Sequence, residues 1–138
     1  MLNRKAFTVV EIFVVVLIVG VLLAIAVPIM RGRIDAARWV EGRTMAENLA
    51  RSLREYAQEQ GTQGSYGEGQ PSLTQMGLST GDLTGHHFEY TNFFWTTDYQ
   101  DGRQPPLNFS ITVTAPEGIS SPSVMTLDNK DEWRRERR

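Results

Sequence analysis

The sequence predicts an α+β fold: a long N-terminal α-helix, transmembrane in its first half and amphipathic in its second, packed against a small C-terminal antiparallel β-sheet. Three observations carry this expectation. Residues 12–27, IFVVVLIVGVLLAIAV, hold no charge and no strongly polar group. After residue 30, apolar side chains recur at three- and four-residue steps. Residues 86–128 then contain three runs rich in aromatic and β-branched residues, separated by turn formers.

The apolar run extends from Phe7 to Met30, 24 residues. At ~1.5 Å rise per residue such a helix reaches about 36 Å, enough for a hydrocarbon core of roughly 30 Å. The six residues ahead of it, MLNRKA, carry Arg4 and Lys5, which favours a cytoplasmic amino end and an exported carboxyl end. Arg31 and Arg33 beyond the span weaken that bias without reversing it. Two helix breakers lie inside. Pro28 removes an N–H and crowds the carbonyl near Ala24, at ~3 kcal/mol, and Gly20 adds about 1 kcal/mol. The segment between them is expected to unwind easily, or else the helix simply kinks at Pro28.

Glu11 is the one acidic residue of the run. A carboxylate at bilayer depth costs ~2.5–3.5 kcal/mol, so it asks for a partner. A secretory signal peptide, with a basic start, an apolar core and Ala24-Ile25-Ala26 as its cleavage site, has no use for it. A plain signal anchor has none either. A third reading supplies one: a cut between Ala6 and Phe7 would create an α-amino group one helical turn from Glu11. Identical helices packed with a stagger would then let Glu11 of one copy meet the amine of the next. At an effective dielectric of about 20, charges ~4 Å apart attract by roughly 4 kcal/mol, comparable to the burial penalty.

The remaining elements follow in order. In residues 31–60, Met45, Leu49, Leu53 and Tyr56, with Ala46, Ala50 and Ala57, form an apolar stripe, while Glu47, Arg51 and Glu55 sit at i,i+4 spacing on an exposed face. Helix is expected from Phe7 to Gln60, with weak points at Pro28, Gly32 and Gly42. Four glycines in GTQGSYGEGQP end it. Residues 61–85 read as a glycine-rich loop with turns and a short helix near Leu73–Met76. The strands are HFEYTNFFWTTDY, NFSITVTA and SVMTLD, within residues 86–128, and residues 129–138 read as a charged tail. The sheet should cover the amphipathic half-helix, giving one α+β head on a stalk.

At this point the segment KAFTVVEIFVVVLIVGVLLAIAVP, residues 5–28, resembles the cleavage and methylation segment of type IV pilins and type II secretion pseudopilins. The likeness covers roughly residues 4–30. It implies that residues 1–6 are a leader removed by a membrane prepilin peptidase, which also N-methylates the new amino terminus at Phe7. Phe7, Thr8 and Glu11 match the family's positions, with Glu11 guiding entry into a helical filament. Gly20 and Pro28 fall where the family's helix carries a glycine and a proline and loosens on assembly. Ala6 departs from the glycine usual before the cut, and cleavage is expected to survive. The resemblance implies a bacterial inner-membrane protein, single-pass with its amino end inside, held in the lipid bilayer and then polymerised with copies of itself by an inner-membrane assembly platform. The product would be an extracellular or periplasmic filament: a pilus for adhesion, motility or DNA uptake, or the pseudopilus of type II secretion.

Composition excludes several other functions. With 14 basic against 16 acidic residues the net charge is −2, which gives no bulk electrostatic case for nucleic acid. Without cysteine there is no disulfide, thiolate metal site or nucleophilic thiol. No nucleophile, base and orienter assemble from this inventory, so no enzyme and no cofactor are expected. His86 and His87, adjacent in an expected strand, should point to opposite faces rather than share a metal. Asp128, Asp131 and Glu132 offer oxygen ligands of the kind calcium uses but lack the spacing of an EF-hand loop. Phe93-Phe94-Trp95 reads as core, Asn108-Phe109-Ser110 as an incidental glycosylation pattern, and the terminal arginines as a solvated tail. A monomeric anchored binding module is the rival reading.

Overall fold

A computed structural model describes residues 8–66, 69–104 and 106–136. It shows the α+β layout. Helix α1 (Val9–Gln60) runs for 52 residues, and strands β1 (Phe93–Tyr99), β2 (Leu107–Thr114), β3 (Val124–Asp128) and β4 (Trp133–Glu136) form one sheet in the order β1-β2-β3-β4, each neighbouring pair antiparallel. The chain divides into two units, Met1–Ile34 and Asp35–Arg138.

In the first unit every described residue, Thr8 to Ile34, is exposed. Helical hydrogen bonding continues through Gly20, Pro28, Gly32 and Gly42, so none of the expected weak points interrupts α1. Gly61, at φ +52°, turns the chain out of the helix in a backbone region that side chains disfavour.

The second unit is the folded one. The part of α1 within it lays Trp39, Ala46, Leu49, Ala50, Leu53 and Tyr56 against the inward residues of the strands, among them Phe109, Ile111 and Val113 of β2 and Met125 and Leu127 of β3. Burying each of the larger aliphatic side chains contributes about 1.5–3 kcal/mol. The buried stripe begins earlier than the sequence suggests, at Asp35 and Trp39, whereas Met45 is only half-buried. Gly42 is no weak point. A Cβ there would lie 2.8 Å from the ring of Phe88, itself fully buried and tilted against Trp39 at 5.1 Å, so the missing side chain is what lets that ring reach the helix.

Three expectations need correction. The first strand run is shorter: His86 and His87 precede it, Tyr90–Asn92 form a 3-10 turn, and only Phe93–Tyr99 pair with β2. The 3-10 turn displaces that pairing because Asn92 accepts a hydrogen bond from the Glu89 N–H at 2.9 Å. The short helix near Leu73 is a hydrogen-bonded turn, with Gln75 accepting from the N–H of Ser72 at 2.8 Å. The charged tail contains a strand. Trp133–Glu136 pairs antiparallel with β3, because Trp133 has something to bind: the Arg43 guanidinium lies 5.1 Å from its ring centre and its Nε1 donates to Glu47 at 3.4 Å.

Candidate functional site

The exposed half of α1 starts on a capped turn. The Thr8 carbonyl accepts the N–H of Ile12 at 3.3 Å, which makes Thr8 the residue that caps the helix. Its hydroxyl accepts the Glu11 N–H at 3.2 Å, and Glu11 Oε2 in return accepts both the Thr8 N–H at 2.8 Å and the Thr8 hydroxyl at 2.9 Å. This reciprocal pair is a capping box, Thr-x-x-Glu. Sequence reasoning on burial cost alone missed it, although the spacing announces it. The helix start therefore gives Glu11 a role within one chain. Oε2 takes both donors, and among the described residues Oε1 takes none.

The structure thus brings Thr8 and Glu11 together and keeps the other sequence-selected positions apart. Gly20 and Pro28 lie 9 and 17 residues beyond Glu11, about 13 and 25 Å along the axis. A Cβ on Gly20 would meet nothing within 4 Å, so packing within the chain does not require the glycine. Ala6 and Phe7, the cleavage and methylation positions, lie outside the described residues. The apolar residues following Glu11 are exposed on all sides of the helix, among them Phe13, Leu17, Leu22 and Ile25, and α1 is long and apolar enough to cross a membrane.

The acidic trio is engaged locally. Asp128 Oδ1 accepts the N–H groups of Lys130 and Glu132, both at 2.9 Å. Asp131 Oδ1 meets the Arg54 guanidinium at 2.6 Å, and Arg54 also lies over Phe109. The N–H of Glu132 chiefly, then that of Lys130, and the nearby charges of Arg134 and Lys130, hold the Asp128 carboxyl below its ordinary value against a smaller opposing effect of burial. These contacts build the β3–β4 turn. Among the described residues no three His, Asp or Glu side chains are grouped to hold a metal ion.

His86 and His87 do not face opposite ways, since neither is in a strand: their ring centres are 4.6 Å apart. Beside them Glu41 Oε1 accepts the N–H of His87 at 2.9 Å and of Phe88 at 3.1 Å. Burial pushes the Glu41 carboxyl up, but these two N–H groups and the His87 ring outweigh it and leave the group below its ordinary value. A second clamp escaped sequence reasoning altogether. Asp35 Oδ2 accepts the N–H of Ser120 at 3.0 Å and Ser121 at 3.3 Å, Arg38 donates to the Gly118 carbonyl at 2.8 Å, and Trp39 Nε1 donates to the Pro122 carbonyl at 3.1 Å. Three neighbouring helix residues thus hold the β2–β3 loop by its backbone, whose groups no side-chain pattern reveals.

These arrangements position backbone and pack surfaces. The feature without a structural use inside the chain is the exposed apolar helix with its capped acid. Compared with known proteins, the chain matches no family model, no curated protein and no solved structure, so its functional reading rests on its own residues.

Proposed function

We propose that the chain is a structural, pilin-like subunit of a type IV filament, cleaved between Ala6 and Phe7, N-methylated at Phe7 and polymerised through the first half of α1. The observation that carries this reading is the exposure of every described residue from Thr8 to Ile34, a stretch of α1 that buries none of its apolar side chains. Leaving each large apolar side chain in water forfeits about 1.5–3 kcal/mol, so this surface needs lipid or copies of itself around it. Lipid covers it before assembly and neighbouring helices afterwards.

Glu11 discriminates this reading from a simple anchor. The Thr8 cap occupies Oε2, and Oε1, which takes no donor among the described residues, is where an ammonium of a neighbouring copy would bind. At about 4 Å and an effective dielectric near 20 that pair gains roughly 4 kcal/mol, enough to offset ~2.5–3.5 kcal/mol for placing a carboxylate in the apolar layer. The cap and the intermolecular pair use different oxygens, so one residue serves both.

Two measurements test the reading. Mass spectrometry of the protein from its membrane should find a chain beginning at methylated Phe7; an intact Met1 contradicts it and favours the anchored monomer. Glu11→Ala should leave membrane insertion intact while reducing fibres at least tenfold, and a normal fibre yield removes Glu11 from assembly. Long surface fibres mark a pilus and short periplasmic ones a secretion pseudopilus.

A further inference from the structure

Arg31 and Arg33 follow directly on the apolar part of α1, and both are exposed. The ion pairs among the described residues, Arg54 with Asp131 and Arg134 with Asp128, involve neither of them. On a helix an arginine finds its acid three or four residues away. Arg33 has none at that spacing, because Ile29, Met30, Ala36 and Ala37 fill those positions. Arg31 has one, Asp35, but that side chain is 7% exposed and its carboxylate accepts the N–H groups of Ser120 and Ser121. From Ile12 to Ile34 the sequence holds these two arginines and no acid. Among the described residues nothing balances their charge.

Their depth indicates what does. The exposed stretch Val9–Met30 is centred between Val19 and Gly20. At ~1.5 Å per residue, Arg31 and Arg33 stand about 17 and 20 Å from that centre. A bilayer with a hydrocarbon core ~30 Å thick and a full thickness of about 40–45 Å has its headgroups roughly 15–22 Å from the midplane. Both arginines fall in that layer. Two positions apart on a helix of about 3.6 residues per turn, they project to nearly opposite sides, so each meets a different headgroup. A guanidinium fits a phosphate through two parallel N–H···O bonds.

We infer that Arg31 and Arg33 bind the phosphates of anionic phospholipids in the leaflet at the carboxyl end of the span, one lipid on each side of the helix. The contact rests on the membrane-stored form in the filament reading above and adds to it a preferred class of lipid.

Native mass spectrometry of the full chain tests this, with the protein released from detergent micelles that hold equal amounts of phosphatidylglycerol and phosphatidylcholine with identical acyl chains. One basic residue near an anionic surface favours binding by about fivefold. Arg4→Gln with Lys5→Gln first removes the basic pair at the other end of the span, and this chain should still retain phosphatidylglycerol over phosphatidylcholine by about fivefold or more. Adding Arg31→Gln and Arg33→Gln should bring the ratio to about one while helical circular dichroism stays unchanged. A ratio that these two substitutions leave unaltered overturns the inference. Ammonium phosphate in place of ammonium acetate, at equal ionic strength, should not displace the lipid; displacement assigns the pair to free phosphate and overturns it too. The same chains separate this contact from the reading beneath it. Lipid retained without preference overturns the contact alone, whereas a chain that stays in solution without detergent and retains neither lipid overturns the membrane-stored form as well. An unaltered ratio with a tenfold loss of fibres assigns the arginines to acids of a neighbouring copy, which also overturns the lipid contact.

Discussion

Replacing Asp35 by alanine removes the acceptor that two backbone N–H groups share, those of Ser120 and Ser121. Hydrogen bonds to a charged acceptor contribute about 1.5–3 kcal/mol each, and a stranded buried donor costs about 1–3 kcal/mol. Asp35 is 7% exposed, but the two serines are themselves exposed, so water replaces part of what the carboxylate supplied. The lower end applies, about 2–3 kcal/mol for the pair. A domain of this size has about 5–15 kcal/mol of stability in all, so the loss is large. Asp35→Asn keeps an acceptor oxygen at the same place and gives up only the charge assistance, about 1 kcal/mol. Urea unfolding of the detergent-solubilised full chain reads both, because Trp39, Trp95 and Trp133 all lie in the second unit and Trp39 bonds the same loop through Pro122. With a urea slope of about 1–3 kcal/mol/M the alanine variant should lose about 0.7–3 M in midpoint and the asparagine variant about a third to a half of that, about 0.3–1 M. An alanine midpoint within about 0.3 M of the parent, or an asparagine variant as weak as the alanine one, refutes the argument that acceptor capacity is what matters.

Gly42→Ala should destabilise by about 1–2 kcal/mol in the same assay: helix propensity favours alanine by about 1 kcal/mol, but a Cβ 2.8 Å from the enclosed Phe88 ring overpacks by more than that. Gly32→Ala, where the added carbon meets open space, should instead stabilise the already continuous helix by about 1 kcal/mol, read as helical circular dichroism that persists to higher temperature than in the parent; an unchanged or earlier loss contradicts this. Acid should weaken the second unit. Glu41, Asp82 and Asp128 all titrate below their ordinary values when folded, so their contribution is complete above the unfolded carboxylate range near pH 4 and is lost as pH falls through the folded values. Urea midpoints at pH 7, 5 and 3 should be similar for the first two and lower at the third; a midpoint that falls equally between pH 7 and 5 contradicts this assignment.

The parts of the fold carried by side-chain period were legible. The apolar run, the Leu49–Leu53–Tyr56 stripe and the β-branched strands announce themselves because burial selects apolar residues at a helical or alternating spacing. Features carried by backbone groups were not. The Asp35 clamp pairs a carboxylate with N–H groups 85 and 86 residues away, which leaves no mark in local pattern. Strand β4 was hidden because its sequence, WRRE, is mostly charged and only Trp133 anchors it. Glu11 shows the converse: its cap was written in the Thr-x-x-Glu spacing but was overlooked beside the larger cost of a carboxylate in an apolar layer. Gly42 reads as a helix breaker in one dimension and as room for Phe88 in three.

The most direct test is a cryo-electron microscopy map of fibres assembled from this chain. The account predicts Oε1 of Glu11 about 4 Å from the methylated α-amine of Phe7 in an adjacent copy, with Oε2 still on Thr8. A map that leaves residues 1–6 attached, or that sets this carboxylate apart from every amino terminus, contradicts it.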